Sequence, residues 1–152
     1  MKVQTTPSMQ LDEQLCFALY AASRRMTATY RPLLDALGLT YPQYLVMLVL
    51  WERDGLTVRE LGDRLQLDSG TLTPLLKRLE QASLLERQRR RSDEREVEIS
   101  LTQTGRDLHE HAASVPRCMA DRLCLSVDEF KKLRDDLKSL AAQLAAPTDQ
   151  RD

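Results

Sequence analysis

Three cysteines are the residues of this chain with the plainest capacity for chemistry: Cys16 inside "LDEQLCFALYAASR", and Cys118 and Cys124 far downstream. An odd count at wide spacing suits neither a secreted disulfide framework nor a CxxC zinc ribbon, so in a reducing cytosol all three are expected to be free thiols. Core packing is the ordinary use of a free cysteine. Attack on a peroxide is the chemical use, and it requires the thiolate. A second group is basic. Between Lys77 and Arg95 stand Lys77, Arg78, Arg87, Arg89, Arg90, Arg91 and Arg95 against four acids, a local balance of +3 in a chain whose formal charge is −1. A charge run is usually a solvated face, but a local basic surface is also what a nucleic-acid backbone attracts.

The elements that must position these groups are legible from periodicity. Leu11, Leu15, Leu19, Ala22 and Met26 recur at helical spacing, which predicts a long helix to about residue 37, with Pro32 as a break point and Gly38 as its C-cap. "LTYPQYLVMLVLWE" predicts a buried helix capped by Thr40, with Pro42 in its first turn. Thr57 and Glu60 form a capping box for a short helix to Leu65. Asp68 or Ser69 caps the next, whose Leu72, Leu75, Leu76 and Leu79 face inward while Ser69, Thr71, Thr73, Lys77 and Arg78 face outward. Two short helices joined by a tight turn form a helix-turn-helix.

Past this pair the period changes to two. Val97, Ile99 and Leu101 alternate with Glu96, Glu98 and Ser100, and Leu84 and Leu85 begin the partner strand, so residues 84–101 read as a hairpin with Arg90 to Glu94 at its tip. A helical segment is expected from about Arg106, broken at Pro116. A Ser126–Glu129 capping box opens a last helix with an apolar stripe of Phe130, Leu133, Leu137, Leu140 and Leu144. Residues 147–152 read as a disordered tail.

The expected fold is therefore mainly α with a small β-hairpin wing. It is a single domain over 1–152, with a winged helix-turn-helix at 40–102 and dimerisation helices at 10–37 and 106–146. So small a core cannot absorb every stripe, which points to a two-fold homodimer. No run approaches the roughly 18 apolar residues of a membrane span, and the N-terminus lacks a signal-peptide core, so a cytoplasmic location without membrane contact is expected. The outward helix face and the arginine hairpin suit a major-groove helix followed by a minor-groove wing. Arg95 is placed to enter a narrow minor groove, with Asp93 either holding its guanidinium or simply forming the turn.

"LTVRELGDRLQLDSGTLTPLLKRLE" and "RRRSDEREVEISLTQTG" resemble the MarR-type winged-helix repressors, and "LCFALYAASR" with "LTYPQYLVMLVLWE" resembles their organic-hydroperoxide-sensing OhrR branch. The resemblance implies a homodimer that binds double-stranded operator DNA when reduced and releases it when the N-terminal cysteine is oxidised by an organic hydroperoxide. It implies that Cys16 is the sensing thiol, that Tyr30 and Tyr41 contact it across the dimer, and that Ser69, Thr71, Pro74, Lys77 and Arg78 lie on the recognition helix with Asp93 and Arg95 on the wing. A resolving cysteine in the partner's C-terminal region is implied for one branch, and Cys118 or Cys124 stands in that region. Cys118 is placed first because it follows the expected break at Pro116; a mixed disulfide with a small thiol is the other end state.

Tyrosine hydroxyls and a helix N-terminus both favour a thiolate, while Asp12 and Glu13 oppose it. Phe17, Leu45 and Met47 are expected to line an apolar pocket selective for organic over hydrogen peroxide. No cofactor or metal is expected: "HEH" places His109 and His111 on different sides of a helix, a weak zinc pattern. The rival readings are a MarR-type repressor released by a phenolic ligand and, at greater distance, a thiol peroxidase. The second of these has no use for an arginine wing.

Overall fold

The computed structural model of the chain describes residues 8–145, so the expected tail lies outside the described residues. The chain divides into two compact units, Met1–Val115 and Pro116–Asp152, a boundary that falls inside the predicted dimerisation segment 106–146.

In the first unit a 3-10 turn, Leu11–Glu13, leads into α1, Leu15–Asp35. Pro32 does not break α1, which runs through it. Closure comes at Gly38, with φ +68°: its amide bonds to the Asp35 carbonyl at 3.1 Å, and the Leu39 amide to the Leu34 carbonyl at 3.1 Å. This paired closure needs a left-handed residue, and the buried Leu34 and Leu39 flank it. α2, Tyr41–Glu52, opens on the Thr40–Gln43 capping box, a cap worth about 1 kcal/mol. It buries Tyr44, Val46, Met47, Val49 and Leu50.

A two-residue strand that periodicity did not suggest, β1 (Leu56–Thr57), precedes α3, Val58–Leu65, capped by Thr57 and Glu60. α4, Ser69–Gln81, is capped by Asp68, whose Oδ1 accepts from the Thr71 amide at 2.7 Å. That bond holds the Asp68 carboxyl below the usual carboxylate range. The cap is thus charged at neutral pH, and its support of the helix is lost only as pH falls through the lowered value. β2 (Leu85–Arg89) and β3 (Val97–Leu101) form the hairpin, in register from Leu85 opposite Leu101 to Arg89 opposite Val97. β1 adds to the other edge of β3, so the order is β1-β3-β2, all antiparallel.

α5, Gln103–Ala112, begins three residues before the expected start because Thr102 caps it, accepting from the Gly105 amide at 3.0 Å. Gly105 is obligatory at that place: an added Cβ would lie 2.0 Å from the Leu84 carbonyl oxygen. Gly105→Ala is expected to destabilise the fold by about 1–3 kcal/mol, read as a lower midpoint in denaturant. The core joins Leu34, Met47, Leu50, Leu61, Leu72, Leu76, Leu79, Leu85 and Ile99 from α1, α2, α3, α4, β2 and β3, and β1 and α5 add Leu56 and Ala112.

α6 spans Val115–Leu123. The helical segment breaks at residues 113–114, just before Pro116 as expected, and Pro116 then stands in the first turn of α6, where a proline forfeits no hydrogen bond. Cys118 is therefore helical, not at a mobile break. Cys124 follows the helix in the left-handed region at φ +50°, its Sγ–H directed at the Asp121 carbonyl at 3.5 Å. α7, Val127–Ala145, opens on the expected Ser126–Glu129 box and has no buried residue among those described. Its Phe130, Leu133, Leu137 and Leu144 are all exposed, as are Leu11, Leu15 and Tyr20 at the start of the chain.

Candidate functional site

The basic surface is built by α4 and the hairpin. Leu72, Leu76 and Leu79 are buried and Leu75 half-buried, which turns Ser69, Thr71, Thr73, Lys77 and Arg78 to solvent, as the spacing predicts, together with Pro74. The Thr73 hydroxyl proton is already spent on the Ser69 carbonyl at 2.6 Å, leaving that oxygen as an acceptor. The hairpin arginines divide into two kinds. Arg87 donates through Nε and Nη2 to Glu80 Oε2 on α4, at 2.8 and 2.6 Å, which ties the wing to the helix beside it and holds the Glu80 carboxyl below its usual range. Arg90 is likewise engaged, by Glu98 at 2.9 Å and Glu96 at 3.2 Å. Arg89, Arg91 and Arg95 are exposed and make no ion pair among the described residues.

Asp93 does not grip the Arg95 guanidinium. Its Oδ1 accepts from the Arg95 backbone amide at 3.0 Å, an Asx turn that shapes the tip and leaves the Arg95 side chain unheld. Between the two kinds of reading given for Asp93 by spacing, the turn former is the one observed.

Within one chain the thiol and the tyrosines stand apart. Cys16 is exposed, in the first turn of α1, whose N-cap Gln14 makes no side-chain cap bond. Asp12 and Glu13 fall in the preceding 3-10 turn, outside that first turn. Tyr30 lies fourteen residues further along the same helix, about 21 Å away at 1.5 Å per residue, so its hydroxyl cannot serve the Cys16 of its own chain. Tyr30 and Tyr41 do meet each other, with ring centroids 4.9 Å apart. Burial pushes both hydroxyls above the ordinary tyrosine value, with the neighbouring tyrosines adding to the effect at Tyr30, so both stay protonated donors at neutral pH.

Beside this pair a cavity of about 640 Å³ opens between α1 and the start of α2, lined by Arg24, Thr27, Arg31, Asp35, Tyr41 and Pro42 among others. Met47 takes no part in an apolar pocket, being fully buried in the core, while Phe17 and Leu45 keep partial exposure. Cys118 is half-buried and Cys124 exposed, both free thiols. Among the described residues no group of His, Cys, Asp and Glu is arranged to hold a metal, and His109 instead stands edge-on to Trp51, centroids 5.4 Å apart. No helix among the described residues is long and apolar enough to cross a membrane.

Two features of the site escaped the spacing arguments. Arg24 and Arg31 at the cavity carried no motif. Tyr44 and Trp51, three and ten residues after Tyr41, did carry a signal: those intervals place three aromatics on one face of α2.

A helix-turn-helix of α3 and α4 followed by a basic hairpin defines the winged-helix class of DNA-binding modules. The family profile described as "Transcriptional regulator SarA/Rot" matches residues 28–111. The organic hydroperoxide resistance transcriptional regulator of Bacillus subtilis (strain 168) is 51% identical over 136 residues, covering 90% of this chain and 92% of its own. Among solved structures, reduced AbfR bound to DNA superposes with a TM-score of 0.76 at 39% identity, over 91% of this chain and 96% of that one. AbfR of Staphylococcus epidermidis in its disulfide form superposes with a TM-score of 0.60, at 39% identity and over 90% of each chain. The chain belongs to the MarR-type winged-helix transcriptional regulators, in the organic hydroperoxide resistance branch. The relatives are transcriptional regulators, not enzymes, which removes the thiol peroxidase reading.

Proposed function

We propose that this protein is a redox-sensing repressor: a homodimer that holds operator DNA while Cys16 is reduced and releases it when an organic hydroperoxide oxidises Cys16. The observation that carries the reading is the exposed Cys16 at a helix start, about 21 Å along α1 from a tyrosine pair whose hydroxyls stay protonated. A second copy, docked through the exposed apolar stripes of α1 and α7, brings one chain's thiol to the other chain's tyrosines and cavity. Donated hydrogen bonds favour the thiolate. The thiolate attacks the distal peroxide oxygen; the O–O bond breaks, the alcohol leaves with a proton, and the sulfur becomes a sulfenic acid.

A thiol of the partner chain then displaces water from that sulfenic acid to give an intersubunit disulfide, and the movement this demands carries the winged modules out of register with half-sites one DNA turn apart. The lower similarity of disulfide-form AbfR than of DNA-bound reduced AbfR supports the same two-state picture. DNA is held by Ser69, Thr71, Thr73, Pro74, Lys77 and Arg78 on α4 and by Arg89, Arg91 and Arg95 on the wing, with Arg87 and Arg90 bracing the wing.

Non-reducing electrophoresis after hydroperoxide treatment tests the disulfide. The covalent dimer band is expected to vanish in Cys16→Ser and in one of Cys118→Ser or Cys124→Ser. A band that survives both of the latter rules out the intersubunit disulfide to either cysteine and leaves the mixed disulfide with a small thiol.

A further inference from the structure

The geometry points to Trp51 as the residue that couples the Tyr30–Tyr41 pair to the base of the DNA-binding wing. This rests on the reading that the pair belongs to the sensing site and that the wing contacts DNA. From the pair, aromatic rings continue without a gap: Tyr30 to Tyr44 at 6.0 Å and Tyr44 to Trp51 at 6.4 Å between centroids. Both spacings fall in the range of about 4.5–7 Å at which tilted and edge-on rings attract. Tyr44 is buried and Trp51 half-buried, so neither ring can shift without disturbing its neighbour.

At its far end the column leaves α2. Trp51 Nε1 donates to the Gly105 carbonyl at 2.9 Å, a bond across 54 residues of sequence. Gly105 is pressed against the Leu84 carbonyl, and that same carbonyl accepts the Thr102 amide at 3.1 Å, while the Thr102 hydroxyl donates to the Ser83 carbonyl at 2.6 Å. Ser83 and Leu84 immediately precede β2. A displacement of the tyrosines therefore has a packed, hydrogen-bonded route into the wing, and among the described residues the indole N–H makes its one hydrogen bond from α2 to α5. Trp51 acts as a positioning residue; it touches neither thiol nor DNA.

The test is a double-mutant cycle on reduced protein without peroxide, reading operator affinity by fluorescence anisotropy for wild type, Tyr41→Ala, Trp51→Phe and the double variant. Phenylalanine keeps a ring in the column and removes the N–H. Tyr41→Ala is expected to weaken operator binding about tenfold in the wild-type background and less than about threefold in the Trp51→Phe background. Effects that simply multiply, or a Tyr41→Ala variant with unchanged affinity, overturn the inference. If Trp51→Phe is too unstable to assay, amide exchange of Leu85–Arg89 in Tyr41→Ala replaces it: faster exchange supports the coupling, and unchanged protection refutes it. Because no oxidant enters the assay, failure here leaves Cys16 sensing standing, and loss of peroxide response in wild type leaves this coupling standing.

Discussion

Cys16→Ser is expected to bind operator as tightly as wild type and to keep it bound in organic hydroperoxide, where wild type loses about 5–150-fold in affinity, the usual span of coupling between two sites. Serine is nearly isosteric, and Cys16 is exposed and has no place in the core, so stability and basal DNA binding should be untouched. What the substitution removes is the sulfur. A hydroxyl at that place is not ionised at neutral pH and does not attack a peroxide oxygen, so no sulfenic acid forms and no disulfide can follow. The same comparison separates this reading from a repressor released by a phenolic ligand, in which Cys16→Ser would respond as wild type does.

Arg78→Ala and Arg95→Ala are expected to cost about 1–3 kcal/mol each in operator binding, roughly ten- to a hundredfold, without changing the unfolding midpoint. Both side chains are exposed and make no ion pair among the described residues, so no contact within the folded chain is lost. The two losses should differ in kind. An arginine reading a base edge from α4 changes the ranking of operator variants, whereas Arg95 in a narrow minor groove discriminates by the width of A·T-rich flanks. A lysine that meets only phosphate, the role suited to Lys77, weakens all sequences alike and lowers the salt dependence by about one unit of slope. Arg87→Ala acts through the helix-to-wing tie and is expected to blunt both readouts less than either exposed arginine.

Much of this layout was legible because it is local. The Thr40 cap and the boxes at Thr57–Glu60 and Ser126–Glu129 are each written within four residues, and all three form. Gly38 closes α1 for an equally local reason. What escaped notice depends on partners distant in sequence. β1 is two residues long and exists only through pairing with Ile99 and Glu98. The need for a glycine at position 105 comes from the close approach of the Leu84 carbonyl, twenty-one residues earlier in the chain.

The two prolines differ: Pro32 is carried inside α1 without the expected break, whereas the helical segment does break just before Pro116. Within the site, Tyr30 and Tyr41 came from the family resemblance, whereas types and spacing singled out Cys16 and the outward face of α4. They did not distinguish arginines braced by Glu80, Glu96 and Glu98 from those left unpaired, because an ion pair depends on which side chains the fold brings together. Met47 was drawn toward the pocket by its chemistry and taken by the core through its helical phase.

The most direct measurement titrates wild-type protein on operator DNA with an organic hydroperoxide while counting, in the same samples, reduced Cys16 by mass spectrometry and bound DNA by anisotropy. Bound operator is expected to fall in step with loss of the Cys16 thiol and to return when a dithiol reductant restores it. Operator that stays bound after Cys16 is fully oxidised would contradict the central claim that this cysteine controls DNA binding.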